Sequence, residues 1–287
     1  MITKADDTMI KITKSVITAA GRGTRLLPYT KEIPKEMLPV YVKNGKNNSV
    51  LKPLLQIIFE SVFDFGIRDF GFVVGRSKRS VADHFLLDFD NEKNTADNAM
   101  KKFFSMIKNS NIVFAQQPFP LGFGDAVLRA KPIVENNNFL LQAGDNVILS
   151  KKNNHLQRLE KAFFKYDADM AFLVAKVDDP RPYGVIDGKQ KDGIIKVENM
   201  EEKPKKPKSN LAVIGTYIFK PSIFDFLKKV EPDKNNEIQL SDAMKKMIEN
   251  KKSVAVLLRD DEKRIDFGNA ESYIECLNMS YEFYNRN

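Results

Sequence analysis

Arg25 and Lys35 lie ten positions apart in AAGRGTRLLPYTKEIPKEMLPV, residues 19–40, directly after the apolar run SVIT. Gly21 and Gly23 stand just ahead of them. Glycine tolerates positive φ and lets backbone N–H groups come close to anionic oxygens. A glycine turn at the end of a strand, with one cation near it and a second further on, could grip a polyphosphate from two sides. The segment has the first two glycines of the dinucleotide pattern G-x-G-x-x-G, but Leu26 stands where the third belongs, and G-x-x-x-x-G-K-[ST] is not met either. Pro28, Pro34 and Pro39 keep the chain extended or turning rather than helical. From these residues alone two readings stay open: a loop wrapping a triphosphate, or a basic surface loop.

Other chemistries are poorly supplied. Two histidines, His84 and His155, and one cysteine, Cys276, argue against zinc clusters and against hydrolase sites that pair Ser or Cys with a His base. They also argue against a disulfide framework, so a reducing, cytoplasmic setting is expected. A metal would have to be held by carboxylates, which points to Mg²⁺. The pair Asp88 and Asp90 in LLDFDNE looks like a D-x-D metal motif, but it opens an Asn-rich polar stretch and reads as a solvated loop. The formal net charge of +8 suits nucleotides and sugar phosphates as well as nucleic acid. The cations are scattered, the densest group EEKPKKPK (201–208) is broken by prolines, and no aromatic–basic RNA motif occurs, so no nucleic-acid partner is expected. There is no long apolar run for a membrane span and no continuous apolar stretch near the amino end for a signal peptide.

The elements that must position the loop alternate. SVITAA, FGFVVG, NIVFAQ, NFLLQAGDN and DMAFLVAKV read as strands. Between them PLLQIIFESVFDFG, KRSVADHFLL, GDAVLRAKPIV and HLQRLEKAFFKY read as helices, the first stopped by Gly66. Such alternation implies an α/β fold with a mostly parallel central sheet and helices on both faces, a Rossmann-like three-layer arrangement. After about residue 180, YGVID, GIIKVENM and LAVIGTYIF follow one another without a crossover helix and form an expected antiparallel β insertion. Helices resume at PSIFDFLKKV, QLSDAMKKMIEN and NAESYIECLNMSYEFYN. With no linker or composition break, residues 1–287 read as a single domain.

The full string GxGTR-x8-PKEMLP, preceded by Ala-Ala, resembles the signature of the sugar-nucleotide pyrophosphorylases, a nucleotidyltransferase family. PKEMLP is most similar to the version in bacterial and archaeal UTP–glucose-1-phosphate uridylyltransferases. The resemblance continues through QQPFPLGFGDAVLRAK, FLLQAGDNVIL, PYGVID, VENMEEKPKKPKSNLAVIGTYIF, NNEIQLSDAM and RIDFGNAESY, and covers roughly residues 14–284. The pair EKP…SNLAVIG and EIQLSDA is more specific than the glycine loop itself.

The resemblance implies transfer of a uridylyl group from UTP to glucose 1-phosphate with Mg²⁺, giving UDP-glucose and pyrophosphate. A relative using dTTP or another hexose 1-phosphate, or a non-catalytic nucleotide-binding homologue, remains the alternative. It also implies a homo-oligomer, dimer or tetramer, and divides the single domain into a nucleotide-binding half (about 14–180) and a sugar-binding half with the C-terminal helices (about 181–287). Arg25 and Lys35 would hold the triphosphate and Lys203 the sugar phosphate; with Asp145 these form the expected catalytic set. Asp145 and Asp266 would hold the metal, each after an apolar strand whose parallel neighbours bring both to one edge. Ala20, Gly21, Gly23, Thr24, Gln117 and Gly122 fall at nucleotide positions, with the Gln117 amide able both to donate to and to accept from the uracil edge. Gly184, Glu202 and Gly215 fall on the sugar side. Three departures stand out: Asp125 replaces a common histidine, QAGDN leaves the single acid Asp145, and VKNGKNNSVL lengthens the loop after PKEMLPV.

Overall fold

The computed structural model describes residues 11–44, 48–87, 97–150 and 154–285. Asp88 and Asp90 lie outside them. From the amino end run β1 (Lys14–Ala19), β2 (Pro39–Asn44), β3 (Asn48–Pro53), α1 (Leu54–Phe65), β4 (Asp69–Gly75), α2 (Arg79–Phe85), α3 (Asn98–Lys108) and β5 (Asn111–Gln117). Next come α4 (Phe123–Arg129), α5 (Lys131–Val134), β6 (Phe139–Ala143), β7 (Asn146–Leu149), α6 (His155–Lys165) and β8 (Met170–Lys176). The remainder holds β9 (Gly184–Lys191), β10 (Ile194–Glu202), β11 (Leu211–Phe219), α7 (Ile223–Leu227), α8 (Leu240–Asn250), β12 (Ser253–Leu257), β13 (Lys263–Asp266) and α9 (Ala270–Asn285).

Local sequence accounts for the main boundaries. Helix α1 buries Leu54, Leu55, Ile58, Phe59 and Val62 on one face and stops at Gly66, whose φ of 119° lies where a side chain is strained. Expected as one helix, GDAVLRAKPIV is divided into α4 and α5 by Pro132, which lacks an N–H and crowds the carbonyl four residues back.

Nine strands form one sheet in the order β5-β4-β1-β6-β11-β8-β12-β10-β9. The first four are mutually parallel, as their helical crossovers require. Beyond β6 the expectation of a mostly parallel sheet fails: the sheet is mixed. Strand β11 runs antiparallel to both neighbours, with Tyr217 opposite Leu141 and Phe219 opposite Met170. Only β12 beside β8 restores a parallel pair, and β10 and β9 again reverse direction. The cause is local, because β9 and β10 are joined by the turn at Asp192 (φ 51°) and Gly193 (φ 75°), too short for a crossover. Of the three strands expected as an antiparallel insertion, β9 and β10 lie at the sheet edge, whereas β11 occupies the middle of the sheet.

Val16 and Ile17, adjacent on β1, are both fully buried but belong to different core clusters, one on each face of the sheet. On the Ile17 side Phe59 packs against Phe70, Phe85 and Phe103 with ring centroids 4.6, 5.2 and 6.0 Å apart. That cluster explains why α3 carries FF within an otherwise polar stretch. Both histidines belong to helix packing. Burial pushes His84 and His155 down to about 4, so each is neutral at pH 7. The lengthened loop after PKEMLPV is a hairpin, β2 with β3, that leans on α9 through Tyr41 against Tyr281 (5.1 Å) and a bond from the Tyr273 hydroxyl to the Pro39 carbonyl (3.3 Å).

Candidate active site

Everything proposed to touch the nucleotide lies beyond the carboxyl ends of β1, β4, β5 and β6, where open α/β sheets bind ligands. Two glycines absent from the expected set make this corner possible. A Cβ on Gly144 would lie 2.4 Å from the Thr18 carbonyl oxygen, and one on Gly75 2.8 Å from that of Ala20. The chains leaving β4 and β6 therefore close directly around Ala20 and Gly21.

The loop that follows is built from three short 3₁₀ turns, Thr24–Leu26, Tyr29–Lys31 and Lys35–Met37. Gly23, at φ 67°, offers its carbonyl to the Leu26 amide (2.9 Å) and the Thr30 hydroxyl (2.7 Å), which folds the loop back on itself. The fold-back brings Lys35 beside Gly21, so that a Cβ on that glycine would lie 3.7 Å from Lys35 Cε. One residue on, Glu36 is buried and accepts from Lys78 at 2.7 Å, with side-chain exposures of 2% and 8%. This buried ion pair ties the loop to the start of α2.

Lys35 donates to the Asp145 carboxylate. Asp145 and Asp266 do meet, but not through parallel neighbours in the main sheet. The chain reverses after Asp145 into β7, and β13 pairs with β7 antiparallel, setting Asp266 opposite Asn146. The Phe267 amide donates to the Asp145 carbonyl at 3.4 Å. Arg264, two residues before Asp266 and so on the same strand face, bonds its carboxylate and lies over the Tyr183 ring at 4.5 Å. Arg25 comes alongside, since a Cβ on Gly268 would sit 3.7 Å from its Nη1.

These charges divide the two acids. Burial raises Asp145, but the charge and hydrogen bond of Lys35 outweigh it and hold the carboxyl below its usual range. Asp266 is pushed above its usual range by burial and by the charge of Asp145, with Arg264, Lys35 and Arg25 opposing. Lys35 is raised by Asp145 and Glu36 in spite of its own burial.

Where the resemblance puts the base, Gln117 ends β5 and is buried. Its Nε2 donates to Asp125 Oδ2 at 2.8 Å and to the Gly122 carbonyl at 3.0 Å. Gly122 (φ 95°) is needed for packing, because a Cβ there would lie 2.6 Å from the Ile238 carbonyl oxygen. The Gly124 amide donates to that oxygen (2.8 Å) and the Ile238 amide to Leu121 (2.7 Å), joining PLGFGDA to EIQLSDA.

Where the resemblance puts the sugar, Gly184 pairs with Glu202 across β9 and β10, and a Cβ on it would lie 3.1 Å from Glu202 Oε2. Lys203, at φ 45°, donates its amide to the Tyr183 carbonyl (3.0 Å) and its ammonium to Glu202 (3.3 Å). Gly215 lets β11 lie against β6, since a Cβ there would meet Ala143 Cβ at 2.6 Å. The buried Tyr217 hydroxyl is raised by burial and then by the charges of Glu202 and Asp145, so it feels both halves of the site. Lys203 makes no ion pair with the glycine loop or with Asp145 or Asp266 among the described residues. Arg264, Glu36, Lys78, Gly75 and Gly144 join the site beyond the sequence-derived set.

The nucleotidyl transferase family profile matches residues 14–282. A UTP–glucose-1-phosphate uridylyltransferase of Pseudomonas aeruginosa is 35% identical over 280 residues, covering 94% of this chain and 96% of that protein. Its namesake from Streptococcus pneumoniae serotype 4 is 38% identical over 245 residues, covering 82% and 79%. A UDP-glucose pyrophosphorylase solved in complex with UDP-glucose matches with a TM-score of 0.83 at 34% identity, over 95% of this chain and 99% of its own. A UTP-bound UGPase from Acinetobacter baumannii matches with a TM-score of 0.79 at 27% identity, over 96% and 95%. The chain belongs to the nucleotidyl transferase family.

Proposed function

We propose that this protein transfers the uridylyl group of UTP to glucose 1-phosphate, releasing pyrophosphate and forming UDP-glucose. The observation that carries this reading is the convergence of Arg25, Lys35 and Arg264 on the Asp145–Asp266 pair beside the glycine turn. An oxygen of the sugar phosphate attacks the α-phosphorus in line, and the bond to the departing pyrophosphate breaks. The nucleophile is already an anion, so the reaction needs positioning and charge neutralisation rather than a base. Both histidines are neutral and taken up in helix packing, in keeping with that demand.

Within the proposal, Lys35 and Arg25 hold the triphosphate, with Arg25 on the leaving portion. Ala20, Gly21, Gly23 and Thr24 present backbone around it. Lys203 neutralises the incoming sugar phosphate, while Glu202 and the main chain at Gly184 and Gly215 take the sugar hydroxyls. The donor set suits Mg²⁺, since two adjacent carboxylates supply hard oxygens. Asp145 and Asp266 would hold the ion, which when bound neutralises phosphate oxygens. Among the described residues no helix is long and apolar enough to cross a membrane. A cytoplasmic homo-oligomer is part of the same proposal.

Pyrophosphate release measured with each nucleoside triphosphate against several sugar 1-phosphates, with and without Mg²⁺, tests the assignment. UTP with glucose 1-phosphate is expected to give the highest kcat/KM. Turnover with a different pair and not this one would refute the substrate while keeping the class.

A further inference from the structure

We propose that Asp125, anchored by Arg129, locks the amide of Gln117 in one orientation and thereby makes the base pocket select a ring nitrogen that carries a hydrogen. The inference rests on the proposal that this cleft binds a nucleoside triphosphate.

Gln117 and Asp125 are both buried, at 4% exposure each. The amide nitrogen of Gln117 faces two acceptors, Asp125 Oδ2 at 2.8 Å and the Gly122 carbonyl at 3.0 Å. An amide has two N–H groups, so both are spent on the protein. Neither partner can donate, since one is a backbone carbonyl and the other a carboxylate. Turning the amide over would set its oxygen against two acceptors, which is repulsive. Arg129 reinforces the arrangement through Nη2 to Asp125 Oδ1 at 2.9 Å and Nε to Oδ2 at 3.4 Å. The four residues form a chain of fixed polarity, guanidinium to carboxylate to amide, with the Gly122 carbonyl as the second acceptor.

Only the amide oxygen of Gln117 remains, and no hydrogen bond to it is made among the described residues. An oxygen locked in this sense accepts from the N3–H of uracil or thymine. Cytosine offers a lone pair at N3, and the two acceptors repel. A free glutamine would simply turn over and serve both bases. The discrimination therefore comes from Asp125 and Arg129, neither of which needs to touch the base. Asp125 is a positioning residue and a selectivity determinant, at a position where a histidine, donor or acceptor by tautomer, could not impose one sign alone.

The test is the ratio of dissociation constants for CTP and UTP, measured by calorimetry so that it stands apart from turnover. The native protein is expected to prefer UTP by roughly 10- to 100-fold, the range for a mispaired buried polar group. Asp125→Asn offers either a donor or an acceptor, frees the amide to turn, and should bring the ratio to within about threefold of one. Arg129→Gln changes a residue whose side chain is 41% exposed, so it keeps the test alive if the buried substitution fails to fold, and should lower the ratio partway. Loss of affinity for both nucleotides with the ratio unchanged would show a merely structural role and overturn the proposal. So would a native protein that binds CTP as well as UTP. No binding of either nucleotide would instead refute the reading of the cleft on which the proposal rests, and the proposal with it.

Discussion

Lys35 and Lys203 bring the same charge to the same proposed reaction, yet the protein holds them in opposite ways. Lys35 has 13% of its side chain exposed, is paired with Asp145, and sits beside a glutamate that is itself locked to Lys78 beneath the surface. Lys203 has 65% exposed, lies in a β10–β11 connection, and is restrained only through Glu202 and the Tyr183 carbonyl. One cation is built into the parallel half of the sheet before any ligand arrives. The other stands on the antiparallel half and, in the proposed reaction, gains its full set of partners only with the sugar phosphate. Preorganised charge costs no rearrangement at the reaction step, whereas a solvated charge gives up part of its binding energy to ordering. In the proposed reaction the nucleotide side is thus a fixed frame, and the sugar side a surface that substrate would complete.

Removing Lys35 tests the fixed side most severely. Lys35→Ala should cut pyrophosphate-forming turnover by about 10²–10³. It should also lower Tm, because Asp145 loses the contact that holds its carboxyl down. A variant with normal turnover would show that the lysine is structural alone.

Lys203→Ala should lose a comparable part of the rate, on the order of 10², mainly through kcat/KM for the sugar phosphate. Unlike the first variant, it should leave Tm within about 1 °C, since an exposed ion pair contributes little to stability. Equal losses of Tm in both variants would erase the distinction between the two lysines.

How far the sequence already showed this division depends on which contacts are local. The glycine loop, the crossover helices and the alternation of the first five expected strands with four helices follow from periods of two and 3.6 and from Gly and Pro placement. The place of β11 does not: alternation tells which residues face the core, not which strands become neighbours. LAVIGTYIF nevertheless held a clue, because a nine-residue run so apolar belongs to a strand covered on both faces. The hairpin of β2 and β3 was hidden by its half-exposed, polar composition. Arg264 was legible in principle, since strand periodicity puts residues two apart on one face and Asp266 was already a candidate. Lys78 was not, because its partner Glu36 lies 42 positions away and nothing in RSKRS marks one lysine for burial. The Gln117 amide illustrates a third case: the residue was legible, but its polarity depends on Asp125 and Gly122 and emerges only in three dimensions.

Glu36→Gln weakens the frame without touching its charge on phosphate. The substitution leaves Lys78 buried beside a neutral amide, which should cost about 3 kcal/mol of stability. Activity should fall less than in Lys203→Ala, as Lys35 keeps Asp145 and loses only the restraint on its backbone. Differential scanning calorimetry and steady-state rates on one preparation measure both effects. A larger rate loss than for Lys203 would mean that the pinned loop, not the charge it carries, limits the reaction.

The smallest effect concerns the histidines, and it separates the scaffold from both lysines. His84 and His155 fall from an ordinary 6.5 to about 4 through burial, which Glu60 and Glu262 respectively oppose; Arg158 lowers His155 further. The unfolded chain therefore binds more protons than the folded one between those values, and stability falls as pH drops through that window. Above pH 6.5 the contribution is fully present. Going from pH 7 to pH 6 should cost about 1 kcal/mol for the two together, read as a fall in the urea midpoint with an unchanged m-value. His155→Phe should reduce the steepness of that dependence by about half, whatever it does to stability at pH 7. An unaltered slope would mean that His155 titrates in the folded protein as it does in the unfolded chain, and that α6 packs less closely over it than its 4% exposure indicates.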